Sequence, residues 1–206
     1  MEKVAERVLE AVKNADSGIL TLDVLDSLGL CNKPTMRTTI SRLNKKGRIL
    51  RLKRGVYSTN PIKDAFSAAQ EAFNGYIGFS SALYVHKLIA ELPFSITVVT
   101  TSRSSSKRFG SYEFKAVALK ERAVGFETVG KLVVSTKAKT LFDCIYLQRY
   151  SIEMAKLIDA YKTNQMTRKE WDEFNGYVSR FVHPERRHNF EEVKKRIMAK
   201  GDYYGA

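Results

Sequence analysis

Apolar residues recur at helical spacing at the start of the chain: Val4, Val8, Leu9 and Val12, with Lys3, Glu6, Arg7, Glu10 and Lys13 on the other side. This period predicts an amphipathic helix, ended by Asp16-Ser17-Gly18. In "GILTLDVLDSLGL" Thr21 is placed to cap a short second helix that buries Leu22, Leu25 and Leu28 and stops at Gly29. A turn, "LCNKP", leads to a third helix over about Lys33 to Lys46, with Asn32 as N-cap and Pro34 in the first turn, where its missing N–H costs nothing. On a helical wheel Ile40 and Leu43 fall within about 40° of Met36, so these three form its buried stripe. The period then changes. In "RILRLKRGVYST" Ile49, Arg51 and Lys53 alternate with Leu50 and Leu52, and Gly55 suits a tight turn, which predicts a β-hairpin with its tip at Lys53-Arg54-Gly55.

Beyond Pro61 the pattern is mixed. "PIKDAFSAAQEAF" reads as a connecting helix; Tyr76–Phe79 as a short strand, followed by a helix opened by Ser80 or Ser81; "SITVVTT" as a buried strand; "SRSSSKRFG" as a polar, basic loop. "SYEFKAVAL" and "KLVVST" read as strands, and "TKAKTLFDCIYLQRY" as a helix with Ala138, Leu141, Phe142 and Ile145 inward. The remainder is helical: "TRKE" at Thr167–Glu170 is a capping box, and "HPERRH" reads as a turn before a last helix from near Asn189. The expected class is therefore α+β. A winged helix-turn-helix at 1–60 precedes a compact α+β domain at 61–206, with its core at about 75–150 and a helical tail at 151–206.

Charge sharpens this outline. Lys plus Arg number 35 against 22 Asp plus Glu, a net +13, which favours an anionic partner, nucleic acid or an acidic membrane surface. The surplus is not spread evenly, because no acid occurs between Asp26 and Asp64. That window covers the third helix and the hairpin. Thr35, Thr38, Ser41, Arg42 and Lys45 offer short polar groups and cations suited to reading or clamping a major groove, with Arg37 and Lys46 flanking and Arg51, Lys53 and Arg54 as the wing. A carboxylate on either surface would face rows of phosphates and cost affinity. The alternative is a solvated basic face used for protein contacts. Arg103, Lys107 and Arg108 form a second basic patch that extends the DNA footprint, meets an acidic partner or is merely solvated; the same choice holds for Lys194, Lys195 and Arg196.

Other chemistry finds little footing. Cys31 and Cys144 make no C-x-x-C, so neither a disulfide framework nor a zinc site is expected, which fits a reducing cytoplasm. The charged first sixteen residues lack the apolar core of a signal peptide, and no apolar run approaches a membrane span. His86 reads as a packed, hydrogen-bonded histidine, Cys144 as a structural thiol, and "HPERRH" has the wrong spacing for H-E-x-x-H. In "RFGSYEF", Glu113 stands alone, whereas metal-dependent nucleotidyl transfer needs paired carboxylates. No enzymatic role, cofactor or metal is expected.

The winged helix ending in "RGVY", the segment "YIGFSSALYVHKL" and the segment "LVVSTKAKTLFDCIY", in that order, resemble the AbiEi family of abortive-infection, type IV toxin–antitoxin antitoxins and their stand-alone regulator relatives, over roughly residues 4–150. Two positions depart from the family pattern: Lys87 follows His86 where a Gly is frequent, and Thr136 stands where many members have Pro. The resemblance implies a winged helix that binds inverted repeats in double-stranded DNA near its own promoter and represses it, as a homodimer or as cooperative monomers. It implies a C-terminal antitoxin domain opposing a nucleotidyltransferase toxin without a necessary stable complex. The alternative of another class is an interaction protein whose C-terminal domain binds a toxin or other protein directly, with DNA binding secondary.

Overall fold

The computed structural model describes residues 2–199. The first apolar stripe forms helix α1 (Glu2–Asn14). A three-residue strand β1 (Ile19–Thr21) follows, then α2 (Leu22–Ser27), whose first turn is capped by the Thr21 hydroxyl accepting the Val24 N–H at 3.2 Å. Leu25 is fully buried, but Leu28 lies past the last turn and is 48% exposed, so α2 buries less than its leucines suggest. Helix α3 (Lys33–Lys45) starts where Asn32 Oδ1 accepts the Thr35 N–H at 3.0 Å. Met36, Ile40 and Leu43 are buried as the wheel requires, joined by Thr39.

Strands β2 (Ile49–Lys53) and β3 (Val56–Thr59) form the expected hairpin, and Gly55 turns it at φ +77°, a value costly for any residue with a Cβ. β1 pairs with the free side of β3, giving an antiparallel sheet in the order β1-β3-β2. The hairpin is not strictly alternating. Arg51 opposes Tyr57 and Lys53 opposes Val56, leaving Leu52 as an extra residue at a bulge. Ile49 packs with Val8, Val12, Leu25, Met36 and Ile40, whereas Leu52 and Val56, on the opposite face, pack with Ala68, Ala69, Ile77 and Phe114 beyond residue 60. The apolar interior crosses the boundary drawn from sequence.

The second unit is built on a six-stranded sheet. Helix α4 (Ala65–Phe73) is capped by Asp64, whose carboxylate accepts the Phe66 and Ser67 N–H groups at 3.1 Å. Then come β4 (Tyr76–Ile77), α5 (Phe79–Val85), β5 (Ser95–Thr100), β6 (Ser105–Phe109), β7 (Tyr112–Ala118), β8 (Phe126–Val129), β9 (Leu132–Ser135) and α6 (Lys137–Tyr146). The sheet order is β6-β7-β5-β4-β9-β8, with β4–β9 and β5–β7 parallel and the other neighbours antiparallel. The alanines of α4 cover one face through Ile77, Ile96, Val98 and Phe114; α6 covers the other through Tyr76, Val99 and Val117. Helices α7 (Met154–Thr163), α8 (Arg168–Phe181) and α9 (Pro184–Met198) complete that second layer. The chain is thus mixed α+β with a helical C-terminal region, and no described helix is long and apolar enough to cross a membrane.

Three expectations change. The Ser-rich segment is an edge strand, β6, held by pairing along β7, not a loop. Gly78, not Ser80 or Ser81, is the N-cap of α5; the Ser81 hydroxyl instead accepts the Thr97 N–H at 2.9 Å and donates to the Ser95 carbonyl at 3.3 Å. Helix α9 begins at Pro184, five residues earlier than expected, because proline at the first helical position loses no hydrogen bond. The capping box at Thr167 and Glu170 is present.

Helix α6 carries a buried ion pair that its apolar stripe concealed. Lys139 Nζ lies 2.5 and 2.6 Å from the two Asp143 oxygens, one turn apart, with both side chains 3% exposed or less. Burial raises the Asp143 carboxyl to about 6 against the pull of the Lys139 ammonium. The lysine also lies 5.5 Å from the Phe142 ring and 5.8 Å from that of Tyr177 on α8. Such a pair gains little net energy but is costly to break, since removing one partner strands a charge in the interior. Lys139→Met or Asp143→Leu alone should cost about 3–5 kcal/mol in urea denaturation, and the double variant should recover most of that loss.

Candidate nucleic-acid interface

The buried stripe of α3 fixes what its other side presents. With Met36, Thr39, Ile40 and Leu43 packed on α1 and β2, the residues Lys33, Arg37, Thr38, Ser41, Arg42, Lys45 and Lys46 are all exposed. Thr35 is half-buried at the helix start, where its backbone N–H is held by Asn32. The Thr38 hydroxyl donates to the Pro34 carbonyl at 3.0 Å, which fixes its rotamer and leaves its methyl and oxygen lone pairs outward. The C-terminal end is anchored too. Asn44 Oδ1 accepts the Arg51 N–H at 3.1 Å, and Asn60 Nδ2 donates to the Gly47 carbonyl at 2.7 Å. Gly47, at φ +66°, lets the chain leave α3 directly into β2. The helix and hairpin are therefore positioned together by asparagine side chains bonded to the backbone, and the cations ride on that frame.

The hairpin divides its three cations. Arg51 and Arg54 are exposed. Lys53 is turned back by the bulge toward α4, where its ammonium lies 3.5 Å from Glu71 Oε2 and hydrogen-bonds Asn74 Oδ1. Lys53 thus contributes to seating the hairpin, and Arg54 and Arg51 are the hairpin cations that face solvent. The second basic patch divides likewise. Arg103 and Arg108 are exposed, but Lys107 donates to the Leu52 carbonyl at 2.9 Å and the Ala72 carbonyl at 3.3 Å, and lies 5.1 Å from the Phe73 ring. Burial, then the neighbouring Lys53 charge, holds the Lys107 ammonium below the ordinary lysine range. It clamps the hairpin to α4 rather than extending a solvent-facing patch. On α9, Lys194 donates to Asn175 Oδ1 at 3.0 Å and lies over Trp171.

Sequence reasoning passed over two cations of the same face. Lys33, at the first position of α3, and Arg48, in the turn before β2, are both exposed and both lie in the acid-free window, which was the signal available for them.

The motifs in the second unit meet one another. The His86 ring, just after α5, is 2.7 Å from the Ser135 carbonyl at Nε2, and the Ser135 and Thr140 hydroxyls are 2.7 Å apart. Thr136 caps α6 and donates to Glu173 on α8, which also accepts from Tyr177. Cys144 is fully buried, and burial pushes its thiol up to about 12. These groups are satisfied within the fold, and Glu113 pairs with Lys115 at 3.4 Å. Neither a protein-family model nor a curated protein matches the chain.

The division of cations is open to test through salt dependence. Each phosphate contact adds about 0.9 to the slope of log affinity against log salt. Arg54→Ala should lower the slope measured on duplex DNA by about one contact. Lys53→Ala and Lys107→Ala should leave it nearly unchanged, while Lys107→Ala lowers stability by about 1–3 kcal/mol through loss of two charged hydrogen bonds.

Proposed function

We propose that the protein is a sequence-specific DNA-binding transcriptional regulator whose N-terminal part acts as a winged helix-turn-helix. The observation that carries this reading is the outward side of α3, where seven exposed cations and hydroxyls lie with no carboxylate among residues 27–63. The element order supports it as well: α1, β1, α2, α3, then the β2–β3 hairpin, with α2 and α3 joined by a short turn. In this reading α3 enters the major groove. Thr38, Ser41, Arg42 and Lys45 meet base edges and phosphates, Arg37 and Lys46 flank them, and the tip at Arg54 follows the adjacent minor groove. Arg42 is the candidate for a forked contact to a guanine edge.

The motif resemblance extends the reading to an autorepressor of the AbiEi type, acting on an inverted repeat near its own promoter, with a C-terminal unit that opposes a nucleotidyltransferase toxin without forming a stable complex. The contact between His86 and Ser135 supports it, because it joins the two segments that carry the resemblance into one packed unit. Its action is non-enzymatic and cytoplasmic in this account.

Fluorescence anisotropy on the DNA upstream of its own coding sequence and on a scrambled duplex, at about 50 and 200 mM salt, tests the reading. Tight binding should retain its preference for the upstream duplex at the higher salt. Arg42→Ala should reduce that preference by about 1–3 kcal/mol. Equal binding to both duplexes that vanishes with salt would reduce the basic face to charge without readout.

A further inference from the structure

The loop between α5 and β5 is held at both ends and bare in the middle. At its start, the Leu88 N–H donates to the Leu83 carbonyl at 2.9 Å, Leu88 is buried, Ile89 packs on the main core and the His86 ring holds the Ser135 carbonyl. At its end, Ser81 ties the Ser95 carbonyl and the Thr97 N–H. Between these anchors Leu92 is 54% exposed and Phe94 is 91% exposed, on either side of Pro93. A pinned loop that presents a leucine and a phenylalanine two residues apart leaves apolar area that folding does not bury, and its fixed ends lower the ordering cost of a contact made there.

Beside Phe94 lies a recess of about 440 Å³. Its walls are mixed: Ile89, Tyr150 and Ile152 stand beside Ser80, Thr97 and Lys115, and the Tyr150 ring is braced against Phe79 at 5.3 Å. Glu91 and Arg149 stand on its rim. Among the described residues neither makes an ion pair; Arg149 lies over the Tyr150 ring at 4.8 Å. Anchor, socket and two opposite charges thus share one surface. That is the arrangement a two-fold contact requires, because the same patch must complement itself.

We infer that this loop is a homodimer contact, in which Phe94 of each copy seats in the recess of the other and Glu91 meets Arg149 across the two-fold axis. A second copy suits the surface because Lys115 is paired with Glu113 at 3.4 Å and the two remaining charges of the recess, Glu91 and Arg149, are opposite in sign, although the chain as a whole carries +13. Such a dimer would present two α3 helices to DNA, but the contact does not depend on the DNA-binding reading.

The test is analytical ultracentrifugation of the full chain without DNA, over a range of concentrations. A monomer–dimer equilibrium is expected. Phe94→Asp should raise its dissociation constant about 30-fold or more, the loss of a central aromatic anchor. Its folding is checked by circular dichroism, and the residue's exposure leaves the core intact. Glu91→Arg and Arg149→Glu should each weaken the dimer, and the two together in one chain should restore it. A chain that stays monomeric at every concentration overturns the inference, as does a dimer indifferent to Phe94→Asp. Because DNA is absent, neither result bears on whether α3 reads a sequence.

Discussion

The β2–β3 hairpin is the constraint on which the rest of the molecule depends, because it is buried on both sides. Ile49 closes the small core under α1, α2 and α3, while Leu52 and Val56 enter the core between α4 and the six-stranded sheet. Burying a large aliphatic side chain is worth about 1.5–3 kcal/mol, so the hairpin contributes to two cores at once. Period-two alternation puts Ile49 and Leu52 on opposite faces, and the bulge at Leu52 adds Lys53 to the Val56 side, where strict alternation would have left it beside Ile49. Around the bulge, Lys53 and Lys107 complete the seam with charged hydrogen bonds to Asn74 and to the Leu52 and Ala72 carbonyls. α4 and β6 are therefore tied by direct hydrogen bonds to the base of the hairpin. In the proposed function, this is the route by which the second unit could alter how α3 and the tip meet DNA.

What was legible in the sequence was what local chemistry decides. The stripe of Met36, Ile40 and Leu43, the caps at Thr21, Asn32 and Thr167, and the turn at Gly55 each depend on residues within a few positions of one another. What was not legible depends on distant partners. β6 is serine-rich and has weak strand propensity, and it becomes a strand because β7 supplies its ladder. β8 is only four residues long and mostly exposed, so no period marks it. Lys53 and Lys107 look like wing and patch cations in one dimension, and only the approach of α4 shows where their ammonium groups go. Lys139 and Asp143 sit one turn apart, a spacing common on solvent-facing helices, and their burial follows from the helices that cover α6.

The candidate interface follows the same division. Its composition, cations and hydroxyls without acids, was visible in the chain, and the fold exposes that composition on one side of α3. Asp23 and Asp26 lie on α2, the Asp64 carboxylate is held by the first turn of α4, and Glu71 pairs with Lys53. α3 itself carries no acid, which is what the proposed reading requires of a helix that faces phosphates.

In the proposed function the outward side of α3 meets phosphates because it carries no carboxylate, so the most direct measurement puts one there. Ser41→Glu places an acid at an exposed position in the middle of α3, and Asn189→Glu makes the same change in net charge at an exposed position on α9. Affinity for the upstream duplex would be measured for both by fluorescence anisotropy at fixed salt. Ser41→Glu should lose about tenfold or more while Asn189→Glu stays close to the parent chain. Equal affinities for the two variants would contradict this, because the positive charge would then act as a diffuse property of the molecule and not through α3.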